Sequence, residues 1–167
     1  MRKLLYSIAS IFLVFALSSC EDFFNPDTSE ILLEKDYVGD YTELYSGYMG
    51  IAGAVQSVAD QASFLEGLRG DLLEPTQNAP REIWDVYNHA DMTGNAFASP
   101  KGYYNVIINA NDYISHAFTY REKDSTSVSE TTFNGLIGGA LRYKAWAYLQ
   151  LAKIYGEAVY FDKPVTS

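Results

Sequence analysis

The stretch that decides the fold is LRYKAWAYLQLAKIYG, residues 141–156. In this stretch and the four residues before it, apolar side chains recur every three or four positions, which is the spacing of one helix face. These side chains are Ile137, Leu141, Ala145, Tyr148, Ala152 and Tyr155. Gly156 follows the last of them, where a left-handed C′ residue favours glycine. The pattern predicts a long helix that is capped at Ser129 or Thr131 and ends at Tyr155.

Two more long helices and two short helices are predicted upstream, and one of the short helices begins at Leu65 and passes into a turn that ends at Pro75. The first long helix is expected over residues 36–58, and the second starts near Ser99 and Pro100, an N-cap and N1 pair. A brief helix is expected over residues 80–89, because Pro80 stands at its start. Apolar residues at helical spacing predict the buried side of the second long helix. They are Tyr103, Tyr104, Ile107, Ala110, Asn111, Ile114 and Phe118.

Tyrosines are prominent in the apolar stripe of the first helix. Its members are Tyr41, Leu44, Tyr45, Tyr48, Ile51, Ala52 and Val55. Such a stripe would suit a ligand platform, but burial alone demands the same spacing, so we interpret it as core. The same stretch contains Gly39, Gly47, Gly50 and Gly53. Glycine weakens a free-standing helix, which also favours a buried one.

The pattern as a whole predicts helices without a sheet. No alternating run of useful length occurs outside residues 158–161. The polar residues 121–130 connect the last two long helices, which then form an antiparallel hairpin. Gly135, Gly138 and Gly139 are expected to allow close approach at its base. The sequence therefore predicts an all-α fold of antiparallel helical hairpins.

The N-terminus has the pattern of a bacterial lipoprotein signal. Arg2 and Lys3 precede an apolar run over residues 4–17, and small residues lead to Cys20, the only cysteine. Fourteen helical residues reach about 21 Å, short of the ~30 Å hydrocarbon core, so we interpret the run as an export signal. We expect a signal peptide at 1–19, a lipid-anchored tether at 20–34 and a helical domain at 35–167.

The charge of the chain argues against some partners. Removal of residues 1–19 takes away two positive charges, which changes the formal net charge from −9 to −11. Such a chain is not expected to bind nucleic acid, or anionic lipid through a basic patch. The acidic residues are spread along the sequence, so we interpret them as solubilising.

Catalytic motifs are absent from the sequence. It has no HExxH, GxSxG, Walker A or GxGxxG pattern. His89 and His116 lie on different segments without the spacing of metal ligands. Asp71 and Glu74 could be written as an acid and base pair, but loop carboxylates are usually solvated. We therefore expect no enzyme, no metal and no cofactor.

Four pieces of the chain resemble the SusD/RagB family of surface nutrient-binding lipoproteins of the Bacteroidetes. Residues 141–156 are similar to its signature helix, and residues 19–23 (SCEDF) to its anchor. Residues 68–75 (LRGDLLEP) resemble an early loop, and Tyr104, Ile107, Ala110, Asn111 and Ile114 follow the helix that pairs with the signature helix. The chain departs from the family at residues 138–140 (GGA), where an acidic residue is usual, and after Gly156, where a proline is missing.

The resemblance implies a tetratricopeptide-like fold and a non-catalytic role. Such a protein captures oligosaccharide or another nutrient at the cell surface and passes it to a TonB-dependent SusC-type outer-membrane transporter. Glu21 and Asp22 after the lipidated cysteine resemble a surface-export signal, which implies the outer face of the outer membrane. Family members run to several hundred residues, so we expect this chain to be an N-terminal, truncated or split portion.

Candidate ligand residues lie in the irregular segment between the first two long helices, since loops on a rigid frame commonly carry binding residues. They are Asp71, Gln77, Asn78, Arg81 and Trp84. Trp84 would stack on a sugar ring and the others would bond hydroxyl groups, but Trp84 also suits a core anchor of the short helix. A lipid-anchored helical scaffold for a protein partner, and a fragment that binds nothing, are the alternatives.

Overall fold

The structure, a computed structural model, describes residues 37–90 and 92–165. It contains four helices: α1 (Tyr41–Arg69), α2 (Arg81–Tyr87), α3 (Lys101–Lys123) and α4 (Glu130–Tyr155). The described ranges include no strand, and residues 158–161 have irregular backbone. The predicted all-α fold is therefore confirmed.

The predicted signal peptide (1–19), Cys20 and the tether (20–34) lie outside the described residues. The helical unit begins at Val38, close to the predicted boundary at residue 35. None of the described helices combines the length and apolar content that a membrane span requires.

Helices α3 and α4 form the predicted antiparallel hairpin. At one end the rings of Phe118 and Phe133 lie 5.5 Å apart, and at the other the rings of Tyr103 and Tyr155 lie 6.3 Å apart. Because the residue numbers rise along one helix as they fall along the other, the two helices run in opposite directions. The polar loop between them ends at Ser129, whose hydroxyl accepts from the Thr132 amide at 3.2 Å and caps α4.

Helix α1 completes a three-helix bundle. Tyr48 lies 6.3 Å from Tyr113 on α3, and Gln61 near the other end of α1 donates to the Ser99 carbonyl at 2.8 Å, so α1 and α3 are antiparallel. Tyr48 also lies 5.9 Å from Tyr143, which places α1 beside α4 in parallel. The short helix α2 packs on α1.

The prediction for α1 was wrong at its C-terminal end. The helix ends at Arg69, and the stretch expected to form a separate short helix from Leu65 is its last turn. Ala62, Leu65 and Leu68 continue the buried face beyond the predicted end. The polar residues between them obscure this spacing because they lie on the solvent side of the same helix.

The buried face of α4 is not the predicted one. Leu141 is 49% exposed, and Ala145 and Ala152 are also exposed. The buried residues are Phe133, Leu136, Ala140, Ala147, Gln150, Leu151 and Ile154. Both faces of α4 carry apolar residues, so periodicity could not select between them.

Other predicted core positions were also wrong. On α1, Leu44 and Ile51 are buried as expected, but Tyr41 and Tyr45 are about half exposed. On α3, Phe118 is exposed. The residues missed by the prediction on α3 are Val106, Tyr113, Ala117 and Tyr120, all buried.

Only some of the glycines serve close packing. A Cβ at Gly47 would lie 3.0 Å from the Tyr113 ring, and one at Gly139 would lie 2.7 Å from Tyr48 of α1. Gly50, Gly53, Gly135 and Gly138 face open space. The expected close approach of α3 at Gly135 and Gly138 was therefore wrong. Gly156 ends α4 at φ 83°, as predicted.

Candidate functional site

The five predicted ligand residues lie in one segment between α1 and α3, but no hydrogen bond, ion pair or ring contact joins any two of them. Asp71, at φ 58°, and Gln77 and Asn78 are exposed in turns. Arg81 is exposed and lies 3.8 Å from Asp85 within α2. The segment displays these groups to solvent without gathering them.

Trp84 is half buried, in accordance with either of its two interpretations. Its ring meets the Tyr87 ring edge-on at a centroid distance of 6.0 Å. Ile83 is also half buried, while Val86 is fully buried and is the core residue of α2 that the sequence did not single out.

A cleft of about 820 Å³ lies elsewhere. One wall is the loop 92–100, and the other is the segment 157–159 that follows α4. Tyr104, Leu151 and Tyr155 line it from α3 and α4. None of the five predicted ligand residues contributes to the lining. A volume of this order falls within the range of small-molecule sites in proteins.

Two tyrosines join the helices to the walls of the cleft. The Tyr155 hydroxyl donates to the Ala98 carbonyl at 3.0 Å and ties α4 to the first wall. The Tyr104 hydroxyl accepts from the Val159 amide at 2.8 Å and ties α3 to the second wall. Burial raises the pKa of Tyr155 to about 12, so its phenol stays neutral and keeps its proton in the bond to Ala98. The cleft therefore has an aromatic lining whose hydroxyls are already positioned.

The loop wall is held by Asn95, which is buried. Its side-chain amide donates to the Glu82 carbonyl at 2.7 Å, and its side-chain oxygen accepts from the Phe97 amide at 2.9 Å. The backbone of Asn95 bonds to Met92 and Ala98 on either side. These bonds fix the loop without a ligand, so this wall is preformed.

The second wall belongs to a segment that crosses α3 and α4. Asn111, which is buried on α3, donates to the carbonyls of Phe161 and Lys163 at 3.0 and 3.2 Å. The Tyr148 hydroxyl accepts from the Phe161 amide at 2.7 Å, and the Tyr104 ring meets the Phe161 ring edge-on. Side chains of α3 and α4 thus supply hydrogen-bond partners for backbone groups of this irregular segment.

The lining of the cleft combines apolar, acidic and hydroxyl groups. Tyrosine rings provide apolar faces, the exposed Glu157 provides a carboxylate at the rim, and Ser99 provides a hydroxyl. Within the described ranges no three His, Cys, Asp or Glu side chains come together as a metal site would require. His116 lies 3.4 Å from Asp112 on α3, and His89 is exposed beyond α2.

Sequence reasoning missed this cleft because its walls contain no motif. Tyr104 and Tyr155 were both assigned to buried helix faces, and residues 92–100 have no periodicity. The one available signal is their position. Tyr104 lies near the start of α3 and Tyr155 at the end of α4, so both lie at the open end of the hairpin. Comparisons with protein-family models, with curated proteins and with solved structures found no match to this chain.

Proposed function

We propose that this protein is a lipid-anchored protein of the outer-membrane surface that captures an oligosaccharide or another nutrient. It delivers that nutrient to a TonB-dependent SusC-type transporter and catalyses no reaction. The resemblance of residues 141–156 and the three other pieces to SusD/RagB proteins supports this role, and the helical hairpins are proposed to be tetratricopeptide-like.

The observation that carries the proposal is the cleft beside Tyr104 and Tyr155. Sugars present apolar C–H faces and polar hydroxyls, which suit aromatic rings and hydrogen-bonding groups placed together. Both walls are held by internal bonds from Asn95 and Asn111. A preformed site loses little conformational entropy on binding, as a receptor for a small ligand requires.

Anchoring is proposed to occur at Cys20. Stable membrane attachment needs more than one acyl chain, which bacterial lipoprotein processing supplies at one cysteine. Glu21 and Asp22 follow it directly. Radiolabelled palmitate is expected to enter the protein in growing cells, and Cys20→Ser is expected to abolish both the label and the membrane association.

Calorimetric titration with a panel of oligosaccharides and other small nutrients tests the capture role. Val159 is 62% exposed and lines the cleft, so Val159→Trp should fill it without disturbing the core. Val165 is 59% exposed and lies outside the cleft, which makes Val165→Trp the matched control. We expect binding to fall at least tenfold for Val159→Trp alone. Equal binding by all three proteins, or no binding across the panel, would overturn the proposal.

One observation favours a second candidate, a helical scaffold for a protein partner. Leu141 and Leu149 on α4 are 49% and 54% exposed, and a partner that covered them would remove their apolar surface from water. Cross-linking on intact cells distinguishes the two roles. Capture of a partner other than a transporter, lost in the double variant Leu141→Ser and Leu149→Ser and independent of sugar, would favour the scaffold.

A further inference from the structure

A row of four tyrosines lies on the bundle away from the cleft. We define the tyrosine row as Tyr41, Tyr45 and Tyr48 of α1 with Tyr143 of α4. Ring centroids are 6.2 Å apart from Tyr41 to Tyr45, 6.4 Å from Tyr45 to Tyr48 and 5.9 Å from Tyr48 to Tyr143. The rings therefore form one continuous aromatic surface across two helices.

The tyrosine row is accessible to solvent. Tyr41 and Tyr45 are 44% and 45% exposed, and Tyr48 and Tyr143 are half buried. Leu44 and Ile51 fill the core from the same helix, so the two outer tyrosines are not needed there. The ligand-platform interpretation, which periodicity had ranked below core packing, is the one that their exposure favours.

An unused polar group lies beneath the row. Tyr113 is 5% exposed, its ring is 6.3 Å from that of Tyr48, and its hydroxyl has no hydrogen-bond partner in the described part of the chain. Burial raises the pKa of Tyr113, and the neighbouring Tyr48 and Tyr41 raise it further. Tyr113 thus places a buried, neutral phenol next to the tyrosine row.

Arg142 adds a cation at the edge of the row. Its guanidinium carbon lies 5.4 Å from the centre of the Tyr143 ring, and its side chain is exposed. No carboxylate of the described residues lies within ion-pair distance of it, whereas Arg81 and Lys153 each have one. A guanidinium presents five N–H donors, and Arg142 also interacts with the Tyr48 hydroxyl of the row.

We propose that the tyrosine row is a second binding surface, for a neutral oligosaccharide. Sugar rings would stack on Tyr41 and Tyr45, and Arg142 with the phenol groups would bond the sugar hydroxyls. The chain has a formal net charge of −9, and Asp40 and Glu43 lie at the start of α1, so a charged acidic glycan is disfavoured. The proposal shares its ligand class with the proposed function.

The row and the cleft are separate sites. Tyr143 and Tyr155 are twelve residues apart along α4, a helical distance of about 18 Å. The row and the cleft lining also share no residue, so a substitution in one leaves the side chains of the other in place. Variants at one site should leave the other intact, which allows the two to be tested in the same titration.

The test is calorimetric titration with maltohexaose, cellohexaose and xylohexaose, with hexagalacturonate as the acidic counterpart. The row variants are the double substitution Tyr41→Ala with Tyr45→Ala, and Arg142→Met. Tyr160→Ala is the control, because Tyr160 is 70% exposed and lies outside both the row and the cleft lining. Circular dichroism checks that each variant is folded.

We expect at least one neutral hexaose to bind the row, with affinity at least tenfold lower in the double variant and severalfold lower in Arg142→Met. Tyr160→Ala and the cleft-filling Val159→Trp should keep this binding. If hexaose binding were lost only in Val159→Trp, the proposal for the tyrosine row would be overturned and the cleft would be the sugar site. Tighter binding of hexagalacturonate, or no hexaose binding that depends on the row, would also overturn it.

Discussion

Two tyrosines at the same end of the α3–α4 hairpin, the buried Tyr103 and the half-buried Tyr155, differ in what their hydroxyls do. Tyr103 is fully buried and its hydroxyl has no partner among the described residues, whereas the Tyr155 hydroxyl bonds the Ala98 carbonyl. A buried polar group without a hydrogen bond costs stability, and a bonded one contributes to it. The two residues therefore provide a matched pair for substitution by phenylalanine.

We predict opposite effects from these substitutions. Tyr103→Phe should leave the free energy of unfolding unchanged or raise it by about 1 kcal/mol, and Tyr155→Phe should lower it by about 1 kcal/mol. Urea denaturation followed by circular dichroism measures both. A larger loss for Tyr103→Phe than for Tyr155→Phe would mean that the Tyr103 hydroxyl is bonded.

At the scale of the elements, α1 and α4 are linked by an ion pair between Glu66 and Lys153 at 2.5 Å. The Lys153 ammonium, followed by the Gln150 amide, holds the pKa of Glu66 below its ordinary value. A carboxyl whose pKa is lower in the folded state stabilises the fold above its unfolded pKa of about 4.3, and this contribution is lost as the pH falls through the folded value.

We predict that Lys153→Met weakens this pH dependence. Both side chains are partly exposed, so the pair should contribute less than about 1 kcal/mol near neutral pH. The difference in unfolding free energy between wild type and Lys153→Met should shrink from about pH 6 to about pH 3. Glu66→Gln is the control, and its difference in unfolding free energy from wild type should shrink in the same way. A difference that stays constant across this pH range would contradict a stabilising Glu66–Lys153 ion pair.

Alanine is expected to have opposite effects on stability at two glycines of the helices, Gly102 and Gly138. A Cβ at Gly102 would lie 2.8 Å from a methyl group of the buried Val58, while one at Gly138 meets nothing within 4 Å. Val58 is branched at Cβ and cannot easily move aside. Gly138→Ala should raise the free energy of unfolding by about 0.5–1 kcal/mol, and Gly102→Ala should lower it by about 1–3 kcal/mol.

Differential scanning calorimetry checks the glycine prediction through the melting temperature. Because the two substitutions are chemically identical, their difference reports packing alone. A gain at both positions would mean that α1 and α3 lie farther apart at Gly102 than the structure places them.

The elements that sequence reasoning found correctly are those with local signals. Ser129 and Gly156 mark the ends of α4 through hydrogen bonding and backbone conformation, which depend on a few neighbouring residues. The buried faces were harder, since the choice between Leu141 and Leu151 depends on which side of α4 the other helices approach. Periodicity gives the angle between side chains but not the direction of the core.

At the scale of the whole molecule, the all-α fold followed from the sequence and the cleft did not. Its walls come from residues 92–100 and 157–159, which are far apart in the chain and are held on the hairpin by Tyr155 and Tyr104 respectively. The predicted residues Asp71 to Trp84 share a segment, which is all that sequence proximity can establish. A site made by tertiary contacts between loops requires the packed hairpin to be known.

The proposed role as a nutrient receptor is tested most directly by amide chemical-shift mapping, with an oligosaccharide that binds in the calorimetric panel. We predict that the sugar shifts the amide signals of residues 92–100 and 157–159, and that Val159→Trp abolishes these shifts while Val165→Trp keeps them. Shifts confined to residues outside both walls, or a bound sugar that leaves both walls unperturbed, would contradict the assignment of the cleft as the capture site.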